Sequence, residues 1–128
     1  MNEDEFYAYS GSVLDAAISV HKLMGPGLLE AVYQLSLAKE LEIRNIPFRT
    51  MVAVPLVYKG FDLNKDYVID ILVADEIIVE LKAVEALLPV HEAQIISYLQ
   101  LADKRLGFLI NFNVPLLKDG FRRFVNRY

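Results

Sequence analysis

Apolar residues recur at helical spacing in two segments near the start of the chain. The first segment predicts a helix over residues 10–24, with Ser10 or Ser12 as its N-cap. The sequence GPG at residues 25–27 interrupts this pattern, because proline and glycine break helices. A second amphipathic helix is predicted over residues 28–45.

The middle of the chain is rich in β-branched and aromatic residues, which predicts strands. Three such runs cover residues 48–60, 65–73 and 76–84. Pro55 places the first run at a sheet edge or a bulge, and the polar segment 59–66 predicts a turn after it. The other two runs are apolar at every position but a few, as expected of strands that are covered on both faces.

The last third of the chain predicts one helix and one strand, followed by a less regular element. Pro89 is a favourable first residue for a helix that continues through residues 90–104. Residues 105–112 form a further apolar strand, and residues 114–128 form a short element whose type the pattern leaves open. We therefore predict a single α/β domain over residues 1–128, with the order αβββαβ and an extra element at each end.

Three charged residues lie inside the two most apolar strands. A hairpin loop at residues 74–76 sets a register in which Asp70 directly opposes Glu80, and Lys82 follows on the same face as Glu80. Opposed side chains lie about 5 Å apart between Cβ atoms, and two like charges at that distance destabilise a sheet. Either one carboxyl group stays protonated or a cation lies between them.

A divalent ion of the Mg²⁺ type fits the second possibility, because it is a hard ion that prefers oxygen ligands. Lys82 would then lie beside the ion, where its ammonium group can orient a water or stabilise charge on a phosphate. The alternative is structural: Asp70 and Lys82 form an ion pair, and Glu80 is solvated at a strand end.

A strand aspartate followed by Glu-x-Lys resembles the PD-(D/E)XK nuclease superfamily, whose common core has the order αβββαβ. The sequence GLLEAVY at residues 27–33 also matches the motif of the GxxExxY protein family, a nuclease-like branch of that superfamily. The resemblance covers residues 13–126 and includes IVELKAVE, PVHEAQIISYL and LINFNVPLLKDG; Ile69 stands where the superfamily motif has proline. It implies a restriction-endonuclease-like fold with a mixed central sheet flanked by helices.

The resemblance also implies a set of site residues. Four groups are implied metal ligands: the carboxylates of Asp70 and Glu80, the supporting carboxylate of Glu30, and the backbone carbonyl of Leu81. Lys82 corresponds to the lysine that positions the attacking water. Gln94 and Tyr98 resemble the Gln-x-x-x-Tyr signature of RecB-like nucleases, in which the pair lies near the catalytic site. Without the motif, Glu30 would be interpreted as an exposed helical residue.

Five residues are candidate substrate contacts: Tyr33, His91, Tyr98, Arg122 and Arg123. Tyr33 could instead border the core, and His91 could be a hydrogen-bonded structural residue. The basic C-terminal segment, which also contains Lys118 and Arg127, could be an ordinary solvated surface.

Charge and composition narrow the range of possible functions. The net charge of −4 argues against a protein that binds nucleic acid by bulk electrostatics alone, and 55% hydrophobic residues exclude a disordered chain. The absence of cysteine and of a bilayer-length apolar run favours a cytoplasmic protein, for which a homodimer is plausible. The main hypothesis is a nuclease that uses Mg²⁺ or Mn²⁺ and acts on nucleic acid, DNA rather than RNA. The alternative is a catalytically silent module that binds nucleic acid or protein.

Overall fold

The computed structural model describes residues 1–126, so the last two residues of the predicted domain, including Arg127, lie outside the described part. Three helices, five strands and a 3₁₀-helix occur within residues 1–126. Their bounds are α1 (Glu3–Met24), α2 (Glu30–Ile43), β1 (Phe48–Tyr58), β2 (Phe61–Val73), β3 (Ile77–Lys82), α3 (Pro89–Ala102), β4 (Leu106–Asn111), the 3₁₀-helix (Leu117–Gly120) and β5 (Phe121–Val125).

The first helix begins well before the predicted serine caps, so Ser10 and Ser12 are helical and that prediction was wrong. Asn2 is the N-cap, and its side chain accepts the backbone N–H of Glu5 at 2.8 Å. Acidic residues in the first turn complement the helix dipole, and the buried Phe6 ties this turn to the core. Within residues 1–126, no helix combines the length and apolar character needed to cross a membrane.

The sheet is mixed and has the strand order β1-β2-β3-β4-β5. β3 and β4 are parallel and are connected through α3, whereas the other neighbouring pairs are antiparallel. The order from α2 to β4 is αβββαβ, with α1 before it and β5 after it. The predicted α/β class is confirmed, and the architecture is consistent with a restriction-endonuclease-like core.

The two faces of the sheet carry separate apolar clusters, which is why the central strands are apolar at both parities. One cluster packs against α1 and α2 and includes Val13, Leu37, Ile71, Val79 and Phe108. The other packs against α3 and includes Leu72, Ile78, Ile95, Leu99 and Leu109.

The connection between β1 and β2 is tighter than predicted. The turn consists of Lys59 and Gly60, both with positive φ, and the rest of the predicted turn segment 59–66 belongs to β2. Pairing across the hairpin, rather than local composition, determines that this polar segment is extended. The prediction for Pro55 is confirmed, because β1 is an edge strand and its register shifts between Pro55 and Val57.

Candidate active site

The antiparallel ladder between β2 and β3 has the predicted register, and it ends at the two carboxylates. Val73 opposes Ile77 and Ile71 opposes Val79, which are the last paired residues. The next residue on β2 is Asp70, and the next residue on β3 is Glu80.

Side-chain hydrogen bonds replace the backbone ladder at this point. The Leu81 N–H donates to Oδ2 of Asp70 at 2.8 Å, and the Asp70 N–H donates to Oε1 of Glu80 at 3.3 Å. Each carboxylate therefore accepts an N–H from the opposite strand. This exchange holds the two carboxyl groups side by side where the strands separate.

β1 has an unusual backbone conformation opposite Asp70. Met51, which the β1–β2 register places opposite Asp70, has a φ of 52°, a conformation that non-glycine residues rarely adopt. Ile69 and Leu72 both join the α3-facing cluster, whereas Ile71 joins the opposite cluster, so side-chain alternation is interrupted between Ile69 and Leu72. This interruption includes Asp70, a candidate metal ligand.

Burial makes the carboxyl groups hard to ionise together. Glu80 is only 8% exposed, and burial, with the nearby negative charge of Asp70, raises its pKa from 4.5 to about 8. Burial also raises the pKa of Asp70, although the hydrogen bond from Leu81 opposes that change. The metal-free protein therefore favours a proton on this pair near neutral pH.

Glu30 is the first residue of α2, and its side chain faces the same charges. Burial raises its pKa, Lys82 and His91 lower it, and Asp70 raises it again. Within residues 1–126, no three histidine, aspartate or glutamate side chains are arranged to hold one ion. Glu30 therefore lies beside the Asp70–Glu80 pair rather than within a common cluster.

Lys82 ends β3 and is half-buried next to the carboxylates. The residue that pairs with it on β4 is Asn111, which is 2% exposed. The Asn111 side chain accepts the Val84 N–H at 3.1 Å and donates to the Val84 carbonyl at 2.9 Å, which fixes the chain just after Lys82. We did not identify Asn111 from the sequence, although a polar residue in the run LGFLIN was a usable signal.

The predicted residues on α3 differ in their surroundings. Gln94 is exposed, and within the described chain no hydrogen bond joins it to either carboxylate. Nδ1 of His91 accepts the Leu88 N–H at 2.9 Å and so caps α3, which supports the structural alternative for this ring.

Tyr98 is half-buried and forms a stacked pair with Tyr67, with ring centroids 3.9 Å apart. The Tyr67 hydroxyl donates to the Tyr98 carbonyl at 3.0 Å. Burial raises the pKa of Tyr67 to about 12, with a smaller contribution from Glu80. Burial also raises the pKa of Tyr98, and the negative charges of Glu80 and Asp70 add to this, so the stack borders the carboxylate pair. No local pattern marks Tyr67, because its partner Tyr98 is distant along the chain.

Gln34 is a further polar residue that we did not identify. Its Nε2 lies 3.5 Å from the Asp70 carbonyl, to which it donates. It follows Glu30 by four residues and therefore lies on the same side of α2. That spacing was the available signal.

Tyr33 is not available as a substrate contact. Its side chain is 0% exposed, its hydroxyl donates to the Gly25 carbonyl, and its ring stacks on Phe112. A side chain without accessible surface cannot touch a bound strand, so we correct this assignment to a structural one.

Arg122 and Arg123 lie on opposite faces of the sheet. Arg122 opposes Leu109, which in turn pairs with Glu80, so Arg122 shares the face of Glu80 at about two strand spacings, roughly 10 Å. Arg123 opposes Phe108 on the other face and lines a cavity there with Phe6. The structure thus separates Arg123 from the candidate site.

Comparison with known proteins agrees with this architecture. A sequence model of the PD-(D/E)XK nuclease superfamily matches residues 7–124. No curated protein and no solved structure showed significant similarity to the chain. The superfamily match spans almost the whole chain and includes every candidate site residue, so the chain belongs to the PD-(D/E)XK nuclease superfamily.

Proposed function

We propose that the protein is a divalent-metal-dependent nuclease that hydrolyses nucleic-acid phosphodiester bonds, with its site at the open end of the β2–β3 hairpin. The observation that carries this proposal is the reciprocal hydrogen bonding that holds Asp70 and Glu80 side by side beside Lys82. Membership of a nuclease superfamily supports the reaction class. The GLLEAVY motif supports placement in the GxxExxY branch.

The side chains present fit a hard divalent cation. Asp70 and Glu80 offer adjacent carboxylates. Burial raises both of their pKa values, and the negative charge of Asp70 raises that of Glu80 further. A cation between them would remove that repulsion and favour two ionised carboxylates. Mg²⁺ and Mn²⁺ are the expected ions, because both accept carboxylate, carbonyl and water ligands.

The Leu81 carbonyl is a candidate third ligand. An extended residue directs its N–H and C=O toward the same neighbouring strand, and the Leu81 N–H already points to Asp70. Glu30 is the supporting carboxylate, in a position suited to contact through a water. Gln34 anchors the Asp70 backbone against α2.

In the proposed mechanism, Lys82 orients the attacking water and stabilises negative charge on the phosphate. A bound divalent ion would supply Lewis-acid polarisation of the phosphate and a lower pKa for a bound water. Asn111 holds the chain that follows Lys82, and Gln94 is the candidate polar contact on the α3 side. Arg122, which lies on the same face of the sheet as Glu80, is the candidate phosphate contact. Tyr98 is the candidate contact to the bound nucleic-acid strand.

The direct test is incubation of the purified protein with single-stranded, duplex and branched DNA and with RNA, in Mg²⁺, Mn²⁺ or EDTA. We expect cleavage only with metal, and we expect DNA to be cleaved in preference to RNA. Asp70→Asn should abolish cleavage, whereas Asp66→Asn, an exposed aspartate on the same strand, should not. Cleavage that survives Asp70→Asn would exclude this site.

One observation favours the silent module as a second candidate. A Glu80 carboxyl with a pKa near 8 can remain protonated without a cation, so the pair is tolerable in a protein that never binds metal. Such a module would show no metal-dependent cleavage of any of these substrates, and its melting temperature would be the same in EDTA and in Mn²⁺.

A further inference from the structure

The segment before α2 lacks the side-chain capping that usually defines the first residue of a helix. Gly25 and Gly27 have positive φ values of 69° and 95°, and the N-cap is Leu29, which has no side-chain acceptor. Glu30, the supporting carboxylate, is the first residue of this helix. Its position therefore depends on whatever immobilises residues 25–29.

Tyr33 immobilises this segment. Its hydroxyl donates to the Gly25 carbonyl at 2.5 Å and accepts the Leu28 N–H at 3.1 Å, so a single side chain bridges the segment. The ring is 0% exposed and stacks on Phe112 at 4.6 Å with an interplanar angle of 8°. The hydroxyl thus joins the carbonyl of the residue that caps the end of α1 to the N–H just before the N-cap of α2.

The same ring connects α2 to the strand end that carries the catalytic lysine. The Phe112 N–H donates to the Lys82 carbonyl at 3.0 Å, so Phe112 is fixed relative to Lys82. Tyr33 stacks on Phe112, and Glu30 lies three residues before Tyr33 on the same side of the helix. Packing of one ring thus relates Glu30 to Lys82.

We infer that Tyr33 is a positioning residue that fixes the first turn of α2 and thereby places Glu30 against the Asp70–Lys82 end of the sheet. The inference rests on the proposed function, in which Glu30 supports the metal site. It gives each residue of the GxxExxY motif a physical role. Gly27 supplies the positive φ of the turn, Glu30 supplies the carboxylate, and Tyr33 locks the two together.

The test is Tyr33→Phe, which keeps the stack on Phe112 and removes only the hydroxyl. Tyr58→Phe on the exposed β1–β2 hairpin is the matched control. We expect Tyr33→Phe to raise the Mn²⁺ concentration needed for half-maximal melting stabilisation and for half-maximal cleavage by about 10-fold or more, as for other residues that orient a ligand. Tyr58→Phe should change neither quantity.

A double-mutant cycle separates positioning from general weakening. If Tyr33 acts through Glu30, then Tyr33→Phe should add little to the loss already caused by Glu30→Gln. Fully additive losses, or an unchanged metal response in Tyr33→Phe, would overturn the inference. If Tyr33→Phe does not fold, Gly27→Ala perturbs the same segment, and it should weaken the metal response in the same direction; an unchanged response there would also overturn the inference.

A metal-free measurement distinguishes this inference from the proposed function. Tyr33→Phe should accelerate amide hydrogen exchange at Leu28 and in the first turn of α2, without a matching change in β4. Unchanged exchange at Leu28 would overturn the positioning role. A wild-type protein with no response to metal would instead contradict the proposed function, and the exchange result would still decide whether Tyr33 fixes the helix start.

Discussion

The two ends of the β2–β3 hairpin share one register but differ in what they do. Near the loop, four side chains are fully buried and the backbone ladder is regular: Ile71, Val73, Ile77 and Val79. At the open end, Asp70 and Glu80 replace the ladder with side-chain hydrogen bonds. The apolar end supplies the burial energy that stabilises the pairing, and the polar end uses that pairing to hold two carboxylates that repel each other. Substitutions at the two ends should therefore separate stability from activity.

The largest effect on stability is expected at the apolar end. Ile71→Ala should lower the free energy of unfolding by about 2–5 kcal/mol, because it leaves a cavity in a fully buried cluster. Activity per folded molecule should be unchanged. Urea unfolding measures the first quantity and cleavage assays below the transition measure the second. A loss of activity beyond the loss of folded protein would contradict the separation.

The largest effect on activity is expected at the polar end. Lys82→Met should lower kcat by about 10²–10³-fold, because a preorganised positive group is lost near the developing charge. The melting temperature should change little, since the side chain is half-buried and methionine retains its apolar stem. Lys65→Met, at an exposed position on β2, is the control and should retain activity. Equal activity of Lys82→Met and wild type would remove Lys82 from the mechanism.

The pH dependence of stability should report how strongly folding disfavours ionisation of Glu80. The folded-state pKa of Glu80, about 8, lies above its unfolded value near 4.5, so folding favours the protonated form. This contribution is fully present below about pH 4.5 and is lost as pH rises toward about 8. In EDTA, the stability of wild type relative to Glu80→Gln should therefore fall across that range. A constant difference between the two melting curves would show that Glu80 is not perturbed.

The smallest effect is expected from the residue that fixes the chain beyond Lys82. Asn111→Ala should destabilise the protein by about 1–3 kcal/mol, because it removes the partner of the Val84 N–H and the shorter of two hydrogen bonds to the Val84 carbonyl. Cleavage should fall as well, since Lys82 becomes less well oriented. Asn113→Ala, which removes a longer contact to the same carbonyl, is the comparison and should cost less.

Local sequence pattern was sufficient for the hairpin and insufficient for its surroundings. Strand parity and loop length predicted the register that brings Asp70 toward Glu80, because both are local properties of the chain. The interrupted alternation opposite Met51 and the Tyr67–Tyr98 stack depend on contacts between distant segments, which no local pattern reports. The opposite faces of Arg122 and Arg123 could not be predicted either, because the strand that carries them was not identified from the sequence.

The same distinction explains the outcome for Tyr33. The spacing of Gly27, Glu30 and Tyr33 predicts a common helical stripe, which does not by itself say whether the stripe is exposed. Packing against Phe112, a residue far along the chain, buries Tyr33 and leaves Glu30 near the site. The family motif groups Gly27, Glu30 and Tyr33, and tertiary packing places Tyr33 in the core.

The most direct test of the central claim is calorimetric titration of the purified protein with Mn²⁺. We expect wild type and Asp66→Asn to bind the ion, and we expect Asp70→Asn and Glu80→Gln each to lose that binding. Equal binding by Asp70→Asn and wild type would contradict a metal site built on the paired carboxylates. No detectable Mn²⁺ binding by wild type would contradict it as well.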